Sequence, residues 1–191
     1  MQKCGNSKTI PIPWSMMIVV LAMVGIVGSV PAYGATLQWH IVNADLPHLT
    51  PGGTASAQAA DRSIITLFSA SGTFDTVNPQ QVTGGGSYEI RDPQGNVTAV
   101  GSFDVTGLVE WVVAPGSFPS ALIDDVGASE DARAGLAVLK VFYSGGDDGT
   151  VVVSCSLDGT PSSVFEGITA TKGFVDYVNP ILGATLFHVV R

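Results

Sequence analysis

The sequence predicts an all-β domain, an antiparallel meander that closes or nearly closes into a barrel. A two-sheet β-sandwich is the alternative, and one or two short helical turns are expected. Three observations predict this. Apolar and polar residues alternate in run after run, the period of a half-buried strand. The runs are about nine in number and are joined mostly by short stretches of turn chemistry. A small pattern also recurs: glycine, then Thr or Ser, then an aromatic. It occurs at Gly72-Thr73-Phe74, Gly86-Ser87-Tyr88, Gly101-Ser102-Phe103 and Gly116-Ser117-Phe118. Its spacing is one strand plus one turn, a hairpin period rather than a solenoid repeat. Glycine lets a strand kink and a neighbouring aromatic covers the bare backbone, so the pattern favours curvature and hence a barrel.

The chain opens with an export signal. Lys3 and Lys8 form a basic start, and an apolar run follows from Trp14 to Val30. Pro31-Ala32-Tyr33-Gly34-Ala35 then places small residues at −3 and −1 for a cut before Ala35. That order is the one secretory signal peptides show. A retained membrane anchor is the alternative, although the apolar core is short of the roughly 20 residues a spanning helix needs. Cys4 lies before the apolar run, so the lipoprotein arrangement is missing. The expected organisation is a signal peptide over residues 1–34, an N-terminal strand and flexible loop over 35–61, and a β domain over 62–191. The expected location is secreted or periplasmic.

Within the exported part, Leu37, Trp39 and Ile41 alternate with Gln38 and His40. The stretch from Asp45 to Ala60 is rich in Pro, Gly, Ala and Thr and reads as a flexible loop. Ser63 to Ala70 is a continuous apolar strand. Gly86 to Asp92 and Val97 to Val105 flank Asp92-Pro93-Gln94-Gly95-Asn96, where Pro fixes φ and Gly accepts positive φ. They form the clearest hairpin. Gly107 marks a break before Leu108 to Val113. Pro115 to Ala134 is the least regular part, with a helical turn expected at Ser129 to Ala134.

Gly135 to Tyr143 and Thr150 to Leu157 are strands around the turn Gly145-Gly146-Asp147-Asp148-Gly149. Thr160-Pro161 reads as a cap and first helical position, so Pro161 to Phe165 is a second expected helical turn. Ile168 to Tyr177 alternates with a phase slip at Lys172-Gly173, as a β-bulge would give. Thr185 to Val190 is the last strand. The inward residues are expected to include Tyr88, Ile90, Val97, Phe103, Val105, Val151, Val153 and Cys155.

Charge narrows the partners. The chain carries 16 acidic and 8 basic residues. Losing Lys3 and Lys8 with the signal leaves the domain at −10. No basic patch survives, so nucleic acid is not an expected partner. Attachment to anionic lipid by charge is not expected either, and no stable membrane insertion is expected once the signal is cut. Cys155 is the only cysteine left, so an internal disulfide is impossible. It stands in phase with Val151 and Val153 and is expected to be buried.

No motif announces chemistry. Gly-x-Ser-x-Gly, His-Glu-x-x-His, the P-loop and Gly-x-Gly-x-x-Gly are all absent. His40 and His188 fall on the polar phase of their strands and are expected half-exposed. His48 lies in the loop, with no second metal ligand at diagnostic spacing. The doublets Asp124-Asp125, Glu130-Asp131 and Asp147-Asp148 suggest calcium only weakly, because the Asp-x-Asp-x-Asp-Gly loop is absent. Glu89 and Glu110 read as solvent-face residues. Asn96-Val97-Thr98 matches the glycosylation sequon, a short motif that carries little weight. The aromatics Trp39, Phe68, Tyr88, Phe103, Trp111, Phe142, Tyr143, Phe174, Tyr177 and Phe187 are expected in the core.

No catalytic residue, metal or cofactor is expected. The leading expectation is a non-enzymatic exported binding or structural module, with an unknown protein or small molecule as partner. A barrel carrying a small apolar ligand and an enzyme with a dispersed site are the alternatives.

Overall fold

The computed structural model describes residues 34–190. The signal expected over residues 1–34 therefore lies outside the described residues, apart from Gly34. The described part is built almost entirely of strands. They are β1 (Thr36–Asp45), β2 (His48–Pro51), β3 (Thr54–Ala59), β4 (Ile64–Asp75), β5 (Val82–Arg91), β6 (Val97–Ala114), β7 (Ile123–Asp124), β8 (Ala132–Tyr143), β9 (Asp148–Cys155), β10 (Gly167–Lys172), β11 (Val175–Leu182) and β12 (Ala184–Val189). A 3-10 turn, Ser129–Asp131, precedes β8. Among the described residues, no helix is long and apolar enough to cross a membrane.

The strands form one hydrogen-bonded ring. Its order is β6-β5-β4-β3-β11-β10-β9-β8, and β8 pairs back onto β6. The ring is not evenly round an axis, so it is barrel-like or sandwich-like. β1 and β12 span it a second way. β1 pairs with the second half of β4, from Thr36↔Asp75 to His40↔Ser71. β12 pairs with β1 on one side and with β8 at Phe187↔Arg133 on the other. β4 serves β3 and β1 in turn because it is irregular between Phe68 and Ser71, where Ser69 has a φ of 50°.

The interior is filled. Trp39, Phe74, Tyr143 and Phe187 have no exposed surface, and Phe103 has almost none. Phe74, Trp111 and Phe187 form one aromatic group, with the Trp111 and Phe187 ring centroids 4.7 Å apart. Tyr88 and Tyr143 meet edge-to-face at 5.1 Å, with Phe103 beside Tyr143. Tyr88, Phe103, Val105, Val151, Val153 and Cys155 point inward as expected. Ile90 is only partly buried. Val97 is exposed, because the register of β5 and β6 shifts between Ile90 and Arg91 and turns it outward. Phe142 and Phe174 also face solvent, Phe174 at the tip of the β10–β11 turn and 99 % exposed.

The recurring glycines sit where strands crowd. A Cβ on Gly72 would lie 2.1 Å from the Thr83 carbonyl oxygen, across the Gly72↔Gly84 pair. At Gly101 the Tyr88 ring lies over the bare backbone. Of the aromatics that follow these glycines, Phe74, Tyr88 and Phe103 enter the core, and Phe118 packs against it partly buried.

Four local expectations are corrected. Residues 45–60 are not a flexible loop but carry β2 and β3. The period in β3 is written in alanine: Ala55, Ala57 and Ala59 are buried beside the neighbouring strands, and residues so small gave little apolar signal. Gly107 does not end a strand, because β6 runs through it with irregularities on both sides, at Val105/Gly107 and Leu108/Glu110. Lys172-Gly173 is no bulge. Lys172 pairs with Val175, so Gly173, at a φ of 57°, and Phe174 form a tight turn. Pro161 to Phe165 makes a turn, with the Val164 N–H donating to the Pro161 carbonyl, but no helix.

Two outcomes follow. Gly72→Ala forces backbone apart and should cost about 3 kcal/mol, the upper end of overpacking. Gly95→Ala meets open space, although its φ is 87°, and should cost only about 1 kcal/mol. Denaturant titration of the two variants checks the order. Burial pushes the Cys155 thiol well above its ordinary value, so it should label slowly in native protein and rapidly in denaturant, as thiol titration will show.

Candidate functional site

The three histidines and one acidic doublet, scattered in sequence, come together at one flank. The β1–β2 hairpin brings His48 opposite Asp45. The segment 119–127 then crosses β2 as a strap. β7 pairs with it in parallel, His48↔Ile123 and Leu49↔Asp124. The Ile123 N–H donates to the Pro47 carbonyl and the Asp125 N–H to the Leu49 carbonyl.

The doublet Asp124-Asp125 engages two histidines. His188 Nε2 lies 2.7 Å from Asp124 Oδ2, and both side chains are almost wholly buried. Asp124 Oδ1 accepts the Val126 and Gly127 N–H groups, each at 3.0 Å. Gly127 packs directly on the His188 ring, where a Cβ would meet it at 2.8 Å. His48 Nδ1 lies 2.6 Å from Asp125 Oδ2, and this pair is about half-exposed.

His40 and His188 are therefore buried rather than half-exposed. The alternation placed them correctly on the second face of β1 and β12, but the strap covers that face. Burial lowers the pKa of His40 first, the nearby His188 lowers it further, and Asp124 opposes both. The His188–Asp124 pair does not complete a Ser-His-Asp site. Such a site needs the second ring nitrogen on a nucleophile, whereas His188 Nδ1 is buried with no hydroxyl or thiol partner. Among the described residues, no group of three His, Cys, Asp or Glu side chains is placed to hold a metal ion. The other doublets serve turns: Asp147 pairs with Lys172 and its carbonyl closes the β8–β9 turn on the Tyr143 N–H.

Beneath the strap lies a pocket of about 190 Å³. Its walls include Leu46, Leu49, Leu122, Leu157 and Leu186, and Glu166 is its only ionisable side chain. Sequence reasoning passed over Glu166, which sits outside any doublet or motif. Its environment defines it. Oε1 accepts the Thr185 N–H at 2.6 Å and the Thr185 hydroxyl at 3.1 Å, and Oε2 accepts the Ser156 N–H at 2.6 Å. Burial pushes its carboxyl up to about 7, against these three hydrogen bonds. An apolar concavity with one convergent, perturbed polar group is the usual form of a small binding site. A second, shallower groove of about 370 Å³ adjoins it, sharing Ala44 and Ala184 and adding Leu182 and Thr54.

Asp124→Asn takes the carboxylate from buried His188 and from the Val126 and Gly127 N–H groups and should cost about 1.5–3 kcal/mol. Asp125→Asn touches a half-exposed pair and should cost less than about 1 kcal/mol. Thermal or chemical unfolding compares them. The pH dependence has a defined sign. Folded Glu166 holds a proton that the unfolded chain releases above about 4.5, so its contribution to stability falls as pH rises from about 4.5 to about 7. Measured against Glu166→Gln, the wild type should lose relative stability across that window. Comparisons with protein families, curated proteins and solved structures find no match, so the geometry carries the functional argument.

Proposed function

We propose that this protein is an exported binding module that recognises its partner on its outer surface and strand-end loops, not within the ring. One observation carries this reading. The space a ligand-carrying barrel would leave open is occupied by Trp39, Phe74, Phe103, Tyr143 and Phe187, all inaccessible or nearly so. A barrel of about eight strands is either just filled by side chains or holds one small ligand, and this interior belongs to the first kind. Large apolar side chains appear outside instead. Val109, Val112 and Val113 on β6 are exposed, as are Val178, Ile181 and Leu182 on β11. On an acidic, charge-solubilised domain these side chains offer a partner apolar contact. The export itself rests on the N-terminal signal read from the sequence.

Two measurements test the proposal. Titration with a long-chain fatty acid should leave the emission of the buried Trp39 unchanged. A saturable, stoichiometric change would overturn the surface reading in favour of a ligand carrier. Intact mass of the exported protein should correspond to a chain beginning at Ala35. A species still containing Met16 and Met17 would mean a retained anchor.

A further inference from the structure

We propose that the pocket beneath the strap binds a primary ammonium group on a short apolar chain, with Glu166 as its acceptor. This deepens the surface-binding reading and rests on it, but its failure would leave that reading intact.

The lining sets the chemistry. Five leucines and Pro119 offer apolar contact, and Glu166 alone offers charge. An anionic ligand would meet repulsion from that carboxylate. A neutral chain would meet the apolar walls alone and leave the open acceptor site of the carboxyl unfilled. A cation on an apolar stem satisfies both walls.

The hydrogen-bond count agrees. Each carboxylate oxygen has two acceptor sites. The Thr185 N–H takes one on Oε1, the Thr185 hydroxyl shares its single proton between Oε1 at 3.1 Å and the Ser154 carbonyl at 2.6 Å, and Oε2 receives only the Ser156 N–H. One acceptor site on Oε2 remains, and an ammonium brings three donors. A clasp between Ser156 and Thr185 would need an acceptor, but neither a charge nor a cavity beside it.

Size limits the ligand. A pocket of 190 Å³ holds about six waters' worth of volume, at roughly 30 Å³ each. That suits a butylammonium group, the end of a lysine side chain. Burial holds the empty carboxyl near neutrality, and an arriving cation restores its charge. Cys155 is the titratable neighbour, and its own raised pKa keeps it neutral as Glu166 ionises. The domain's net negative charge draws cations towards it.

The test uses 15N-labelled protein at fixed ionic strength, titrated with n-butylammonium, n-butanol and butyrate. The amides of Ser156 and Thr185, which donate to Glu166, are the readout. Butylammonium should shift both saturably and bind at least tenfold more tightly than butanol, with butyrate inactive. Its affinity should rise about tenfold from pH 6 to pH 8 as Glu166 ionises while the amine stays charged. Leu46 is an exposed wall residue, so Leu46→Lys should fold normally and weaken butylammonium at least tenfold by supplying its own ammonium. Glu166→Gln should abolish the preference over butanol. An Nα-acetyl-lysine amide that binds more tightly than butylammonium identifies a peptide lysine as the source, and the reverse identifies a free amine. Equal binding of butanol, absence of shifts at Ser156 and Thr185, or unchanged affinity in Leu46→Lys would overturn the proposal.

Discussion

Strand edges must be paired, covered or charged, because an open row of N–H and C=O groups invites association with other chains. In this domain the pairing of β6 with β8 joins the two ends of the eight-strand ring. β6 is 18 residues long, and it has the reach to follow β5 along one side and β8 along the other. From Phe103↔Tyr143 to Ala114↔Ala134 it stays with β8 through two irregularities. Those irregularities let it bend around the core instead of running past it. Once that seam closes, Phe103, Val105 and Leu108 face the same interior as Leu139, Val141 and Tyr143. The aromatic filling is a consequence of this closure.

The closed ring leaves β1 and β12 as a bridge with a second face of its own, and that face is where the chemistry gathers. Its cover is the strap, held by β2 through a parallel two-residue pairing too short to be stable alone. Side chains complete the fastening. Asp124 ties the strap to β12 through His188, and Asp125 ties it to β2 through His48. The buried tie accounts for most of the fastening, since exposed pairs contribute little. Two of the three histidines thus each give a ring nitrogen to a strap carboxylate, His188 to Asp124 and His48 to Asp125.

The sequence disclosed the fold through alternation and turns, because both leave strong local signals. The Asp92–Asn96 hairpin is such a case: the Asp92 carboxylate accepts N–H groups from Gln94 and Asn96, and Gly95 supplies the positive φ. β3 escaped because alanine carries too little hydrophobic contrast to mark a period. β2 and β7 escaped because they are very short and depend on one another across 75 residues of chain. The site was legible only in its parts. His40 and His188 were read on the correct face of their strands, but polar phase was equated with solvent, and nothing local indicated that a distant segment would cover them. Glu166 carried no signal, since its role depends on Ser156 and Thr185, partners 10 and 19 positions away.

Glu166 also shows why a pocket forms at this place. β12 pairs with β8 only at Phe187 and His188. Two residues earlier, at Thr185, the strand has left β8, and its N–H donates to a side chain. The Glu166 carboxylate takes that position, while the Thr185 hydroxyl reaches the Ser154 carbonyl at 2.6 Å. A side chain thus replaces one rung of the ladder. The pocket lined by the surrounding leucines opens beside this carboxylate. The local cost is a half-buried charge, which burial drives towards neutrality. The opposing titration of His40, whose lowered pKa favours the folded state as pH rises towards 6.5, acts on the same flank. As pH rises, Glu166 therefore lowers stability and His40 raises it, the two contributions add, and removal of either should expose the slope of the other.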